Sequence, residues 1–353
     1  MRVLLPIRLD RFQSPITTLL RAIVEANEDI QFISFSSPLT DEDRELGGKF
    51  WARENVRVGN RFDLVSGRYD IVHHASATKV GILAGRLNRL TSFGRAKYLF
   101  TANCQPYPTH PQLELLHQCA RTASVTIPVS EIVSSDFRKD PQCRLGPVIP
   151  NGFDPELYQP GDAQDVRAKY LEGSAEPFLL YASAFLDRKH PDSFLDLMEQ
   201  RPNLKAVMVG SIPDEQLYQR ICQRASSMPN IEVVGLIPRQ DLRDLMREAA
   251  VMLYTSEYEG FPLTVIEAIG CGLPVIARPD SSLPELIKHG KNGWMYPMEE
   301  TESWLSKTDE ILGWSSEARL AFVTQARLSV VDKYSWGSIG KAYGDYYRSL
   351  CAQ

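Results

Sequence analysis

An apolar run, Val251-Met-Leu-Tyr254, leads through a polar, glycine-bearing turn into a second apolar stretch at residues 263–270, and this segment constrains the fold more than any other. The first run has the length and residue types of a buried strand, and the second fits a helix that closes at Gly270-Cys-Gly272. Pro274-Val-Ile-Ala277 then begins another strand. Two strands joined through a helix run parallel, so the unit belongs to an α/β sheet whose ligands collect at the carboxyl edge of the strands. Two carboxylates, Glu259 and Glu267, stand eight positions apart on the turn and the helix. Eight residues are a little over two helical turns, so both acids lie on one face. The helix start between them offers unpaired N–H groups and a positive dipole end, which suits phosphate. One acid could then hold a sugar and the other a ribose.

The same rhythm fills the chain. Strands are expected at 2–7, 30–35, 69–74, 97–101 and 124–128, and again at 178–183, 205–209, 231–234, 251–254 and 274–277, with helical patterns between them. Ser14 caps and Pro15 opens the first helix. Such alternation predicts doubly wound α/β domains, and 353 residues suffice for two of them. The turn-rich Val148-Ile-Pro-Asn-Gly-Phe-Asp-Pro-Glu-Leu-Tyr-Gln-Pro160 marks the boundary, near residue 155. Near the end, Tyr343, Tyr346, Tyr347 and Leu350 share a helix face and predict a packing helix.

Composition is that of an ordinary soluble globular protein, with 43% hydrophobic and 24% charged residues and a net charge of −5. The six cysteines show neither a CxxC pair nor metal-ligand spacing, as expected of reduced thiols in a cytoplasmic protein. No apolar run is long enough to span a membrane. Nothing points to nucleic acid. No Asp or Glu occurs from Ile71 to Leu113, while Lys79, Arg86, Arg89, Arg95 and Lys97 all do. This run reads either as a solvated helix face or as a peripheral contact, through 79–97, with an anionic inner membrane surface.

Several motifs together resemble those of the family 4 glycosyltransferases, enzymes of the GT-B fold. They are Glu257-Tyr-Glu-Gly-Phe-Pro-Leu-Thr-Val-Ile-Glu267, the connector Ile149-Pro-Asn-Gly-Phe-Asp154, Ser281-Ser-Leu-Pro-Glu-Leu-Ile287, Asn292-Gly-Trp-Met-Tyr-Pro297 and Tyr334-Ser-Trp336. The match is dense over residues 148–350 and thin before. It implies two Rossmann-like domains facing across a cleft: 1–155 on the acceptor side, with a final helix at about 335–353 crossing back to it, and 156–334 for the donor. It also implies a retaining transfer of sugar from a nucleoside-diphosphate sugar to a hydroxyl of a glycan, lipid-linked or small-molecule acceptor. No cofactor and no metal follow from it. Asp41-Glu-Asp43 satisfies a metal-binding DxD pattern, but in a charged loop, and is read as a solvated turn.

By that resemblance Glu259 holds hydroxyls of the transferred sugar, Lys189 with Arg188 holds the leaving diphosphate, and Glu267 takes the ribose. Gly260, Phe261, Pro262 and Leu263 shape the donor loop, where Pro262 stands in place of a frequent glycine and has no N–H to offer. Gly235-Leu-Ile-Pro238 falls where the base is received. On the acceptor side the strand Asp70-Ile-Val-His-His74 suggests a histidine near the reactive carbon. His73 and His74 point to opposite faces of a strand; His74 is the favoured one, although the family spacing falls on Ala75. Asn103 and Gln13 are weaker candidates, Gln13 because Arg8-Leu-Asp-Arg-Phe-Gln-Ser14 replaces a family glycine pair. Two alternatives remain open: a catalytically silent GT-B protein that binds nucleotide sugar or glycan, and a nucleotide-sugar 2-epimerase on the same fold.

Overall fold

The computed structural model describes residues 1–8, 15–35, 50–163 and 165–352. Gln13, the Ser14 cap and Asp41-Glu-Asp43 lie outside the described residues. The chain divides into two compact units, Met1–Gly152 with Tyr334–Gln353, and Phe153–Lys333.

In the first unit six strands, β1 (Arg2–Arg8), β2 (Gln31–Phe35), β3 (Val56–Val58), β4 (Ile71–His74), β5 (Lys97–Ala102) and β6 (Val125–Pro128), form a sheet of order β3-β2-β1-β4-β5-β6. The described pairings are parallel; Leu4, for example, stands opposite Ile33 on one side and Val72 on the other. Its described helices include α1 (Pro15–Glu25), α2 (Lys79–Thr91), α3 (Leu113–Thr122) and α4 (Glu131–Arg138). With the order reversing at β1, right-handed crossovers put α1 on one face and α2 and α3 on the other.

The second unit repeats the plan. Its strands β7 (Phe178–Ala182), β8 (Lys205–Val209), β9 (Ile231–Gly235), β10 (Val251–Tyr254), β11 (Val275–Ala277) and β12 (Trp294–Met295) run in the order β12-β11-β10-β7-β8-β9. Its helices are α5 (Val166–Tyr170), α6 (Pro191–Glu199), α7 (Glu215–Ala225), α8 (Arg239–Glu248), α9 (Leu263–Cys271), α10 (Leu283–Leu286), α11 (Thr301–Leu312) and α12 (Ser316–Tyr334). β7 and β10 are buried at every residue, as expected of strands covered by helices on both faces. The strand order reverses between β7 and β10, which makes the crevice beyond their carboxyl ends this unit's topological switch point. α9 ends where Gly272 takes a left-handed φ of 83°, a cap only glycine adopts without strain.

The last helix, α13 (Trp336–Cys351), belongs to the first unit and packs along α1. Glycine permits this close approach: a Cβ at Gly340 would strike the Ala22 carbonyl, and one at Gly344 the Asn27 side chain. Asn27 Nδ2 donates to the carbonyls of Ile23 and Gly340, each at 2.8 Å, and so ties the two helices. Tyr343 and Tyr347 are fully buried, Leu350 is buried and Tyr346 packs against the same core. No described helix is long and apolar enough to cross a membrane.

The edge strands β3 and β12 have no counterpart among the expected ones. They are three and two residues long, and two residues of β3 are exposed, too short and too open to leave an apolar run in the sequence.

Candidate active site

The loops that leave β7 and β10 meet at the switch point, and their backbones are joined before any side chain is considered. The Glu257 N–H donates to the Arg188 carbonyl at 2.8 Å, and Thr255 Oγ1 donates to the carbonyls of Lys189 (2.9 Å) and His190 (3.0 Å). His190 Nε2 lies 3.1 Å from the Glu257 carboxylate, whose other oxygen meets Arg278 at 2.5 Å. Lys189 ends a short 3-10 turn, and His190 at φ 48° reverses the chain into α6. Tyr258 adopts φ 55° just before Glu259. Left-handed conformations at non-glycine residues cost energy and persist only where the surroundings impose them, as they do at ligand sites.

This frame brings Lys189 and Glu259 into a buried ion pair, with each residue only 7% exposed. The same carboxylate oxygen accepts from Tyr254 Oη at 2.6 Å and Ser256 Oγ at 2.5 Å. Burial alone would raise the Glu259 pKa, but the Lys189 charge and the three hydrogen bonds outweigh it and hold the carboxyl below its ordinary value. Glu259 is therefore an ionised carboxylate fixed in one orientation, suited to accepting hydrogen bonds from hydroxyls.

Glu267, in the second turn of α9, is also 7% exposed. Arg239 Nη2 donates to it at 3.1 Å, and the Tyr158 hydroxyl is a further partner. Arg239 Nε reaches the same hydroxyl at 2.7 Å, its guanidinium 5.5 Å from the Tyr158 ring centre. Burial dominates here, and the Glu267 carboxyl is pushed above its ordinary value despite Arg239 and Tyr158. Arg327 fixes the connector that carries Tyr158, donating to the carbonyls of Tyr158 (2.8 Å), Gly270 (2.5 Å) and Pro155 (2.7 Å).

Between the two acids, Gly260, Phe261 and Pro262 are buried and Leu263 half-buried. Pro262 is the residue before the first turn of α9, and Val265 N–H already bonds its carbonyl at 3.1 Å. The amides of Leu263 and Thr264 are those the helix leaves without an intrahelical acceptor. Arg188 is half-buried, Nη1 lying 3.4 Å from the Glu257 carbonyl.

The first unit treats its candidates differently. His73 is wholly buried in the core: Nδ1 meets Tyr347 Oη at 2.5 Å, Nε2 meets Thr101 Oγ1 at 2.7 Å, and that hydroxyl meets Tyr343 Oη at 2.9 Å. Burial, aided by His74, lowers its pKa to about 3. The histidines do point to opposite faces, but His74 is also closed off, 1% exposed, with its ring against Gly81 of α2. Its Nε2 bonds Thr78 Oγ1 at 3.0 Å while Nδ1 is buried without a hydrogen-bond partner. Burial lowers its pKa to about 4, so it is neutral at physiological pH. Asn103 is half-buried and donates from Nδ2 to the Ala75 carbonyl at 2.7 Å. Neither His74 nor Asn103 is brought to an assembled group of polar side chains like that around Glu259.

The cysteines are free, but the fold brings together what their spacing hides: His117, Asp140 and Cys143, of the first unit, have ligand atoms within 4.8 Å of one another. Arg121 Nε donates to Asp140 at 2.6 Å, and a guanidinium in that position already supplies the positive charge a cation would bring.

Residues 162–328 match the family model described as glycosyl transferases group 1, a span that contains Lys189, Glu259 and Glu267. An uncharacterized glycosyltransferase of Methanocaldococcus jannaschii is 25% identical over 80% of this chain and 75% of its own. Residues 162–328 and this relative mark the second unit as similar to the group 1 glycosyl transferases. A D-inositol 3-phosphate glycosyltransferase of Mycobacterium marinum is 25% identical over 80% of this chain, but over 64% of its own length, so less than two thirds of that protein is spanned. The solved Anabaena protein HepE, in complex with UDP, superposes with a TM-score of 0.78 at 18% identity, covering 99% of this chain and 100% of that one. That likeness concerns the fold, and with the two doubly wound sheets it gives this chain the two-domain, Rossmann-like GT-B fold.

Sequence reasoning missed four side chains of the second unit: Tyr254 and Ser256 on Glu259, and Tyr158 and Arg239 on Glu267. Arg239 carried a signal. It is the first residue of α8, where the helix dipole disfavours a cation, and such a cation needs an acid elsewhere in the fold.

Proposed function

We propose that this protein is a glycosyltransferase that moves a sugar, with retention, from a nucleoside-diphosphate sugar to a hydroxyl of a glycan, lipid-linked or small-molecule acceptor. The observation that carries the reading is the buried Lys189–Glu259 pair at the switch point, its carboxylate oriented by Tyr254 and Ser256. A sugar lying over Glu259 would exchange the Lys189 contact for hydroxyl donors, and Lys189 would turn to the diphosphate. With Arg188 and the first amides of α9 it would stabilise the charge that grows on the β-phosphate as the glycosidic bond breaks. The acceptor oxygen bonds to the anomeric carbon as the carbon–diphosphate bond breaks. The acceptor's proton passes to the departing diphosphate on the same face, so no protein general acid is required. Glu267, with Arg239 and Tyr158 behind it, would receive the ribose hydroxyls.

HepE was solved with UDP, so UDP-sugars head the donor panel, with GDP- and ADP-sugars beside them. The reading predicts slow, donor-dependent release of the nucleoside diphosphate by the wild-type chain with one member of the panel. Binding of a nucleotide sugar without any release would instead identify a silent binding protein, and release of a free, inverted-configuration sugar nucleotide product would identify an epimerase.

A further inference from the structure

The acid-free run beginning at Ile71 plays no part in the donor site, and the structure gives it a definite surface. α2 buries Gly81, Ile82, Ala84, Gly85 and Asn88. What it leaves in solvent is of two kinds only, large apolar and cationic, apart from Thr91 and Gly94. Val80 is 55% exposed, Leu83 56%, Leu90 73% and Phe93 92%, and the exposed cations are Lys79, Arg86, Arg89 and Arg95. Arg86, Arg89 and Leu90 follow the i, i+3, i+4 spacing of one helix face, and Phe93 lies just past the helix end. The turn after α2 holds Phe93 outward at φ 56°, braced by Phe93 N–H on the Leu90 carbonyl at 3.1 Å and Gly94 N–H on the Arg89 carbonyl at 2.7 Å. No described carboxylate lies within ion-pair distance of Lys79, Arg86, Arg89 or Arg95. Between α2 and α3, Arg86, Arg89, Arg121 and Gln118 line a cavity of about 450 Å³.

We infer that this face docks on an anionic phospholipid surface, Leu90 and Phe93 entering the interface while Arg86, Arg89 and Arg95 meet lipid phosphates. An apolar ridge flanked by unpaired cations is complementary to acyl chains beneath a phosphate layer. It is a poor match to a second copy of itself, because a two-fold contact would set arginines against arginines. It is also a poor match to nucleic acid, whose backbone gives protruding leucine and phenylalanine side chains nothing to bury against. The inference is independent of the donor site, and its test uses no donor.

The test is sedimentation of the full chain with phosphatidylcholine vesicles, with and without phosphatidylglycerol, at low and high salt. Wild-type protein is expected to sediment with the anionic vesicles only and to be released by salt. Leu90→Glu/Phe93→Glu should abolish sedimentation with the melting temperature kept, since both side chains are already in solvent. Arg86→Ala/Arg89→Ala/Arg95→Ala should weaken it roughly 100-fold, about fivefold per cation. Equal binding to both vesicle types, no binding, or binding indifferent to the Leu90/Phe93 variant would overturn the proposal. So would full competition by inorganic phosphate at constant ionic strength, which marks a free-phosphate site. A vesicle-free dimer that the Leu90/Phe93 variant dissociates would overturn it equally.

Discussion

Glu259 and Glu267 are equally buried yet their carboxyls move in opposite directions, and this separates their contributions to stability. Glu259 has a folded pKa below the ordinary 4.5, so it stabilises the fold above that pH, and the contribution is lost as pH falls through the folded value. Glu267 has a folded pKa above 4.5; it favours the folded state in acid, and that contribution is lost as pH rises through the folded value. At pH 7, Glu259→Gln is predicted to lower the melting temperature by roughly 5–10 °C, because Lys189 is left buried without its counter-charge. Glu267→Gln should leave it unchanged or raise it, Arg239 being partly exposed. Thermal melts from pH 4 to 8 check both, and a large destabilisation by Glu267→Gln would contradict the assignment. A carboxylate kept at a cost to the fold is what a binding residue looks like. Both acids were legible in the sequence because they sit on one local unit. Lys189 was named too, by resemblance, but its ion pair with Glu259, 70 residues away, was not, nor was the contact of Tyr158 with Arg239, 81 residues apart, since such pairings exist only after the sheet has formed.

At the scale of elements, strands buried on both faces, such as β7 and β10, write themselves into the sequence as continuous apolar runs, which is why the parallel sheets could be read in advance. The packing of α13 was legible in part: the spacing of Tyr343, Tyr347 and Leu350 announces a buried face, but not that the Tyr347 hydroxyl on it meets a core histidine while that of Tyr343 meets Thr101. Tyr347→Phe keeps the ring and removes the partner of His73 Nδ1. It should cost about 1–3 kcal/mol in urea unfolding, the penalty of a buried polar atom left unpaired, while donor affinity in the second unit is unchanged. An unaltered midpoint would mean that the His73 contact contributes nothing to holding α13. His74 shows the limit of reasoning from strand position: the last residue of a strand reaches out only if no helix covers it, and here Gly81 lets α2 close over the ring.

At the scale of the whole molecule, two units share one strand order but divide the chemistry unequally. The second gathers a lysine, two arginines, two buried acids and a helix start around one switch point. The first contributes a tyrosine–histidine core and, on α2, a basic apolar face. The measurement that bears most directly on the donor site is a comparison of wild type, Glu259→Gln and Glu267→Gln with the preferred nucleotide sugar, taking donor Kd by calorimetry and kcat from diphosphate release. The account predicts a split. Glu259→Gln should lose about 100-fold or more in kcat with Kd nearly unchanged, and Glu267→Gln should weaken Kd about tenfold with kcat largely kept. Small, equal losses in both variants would contradict it.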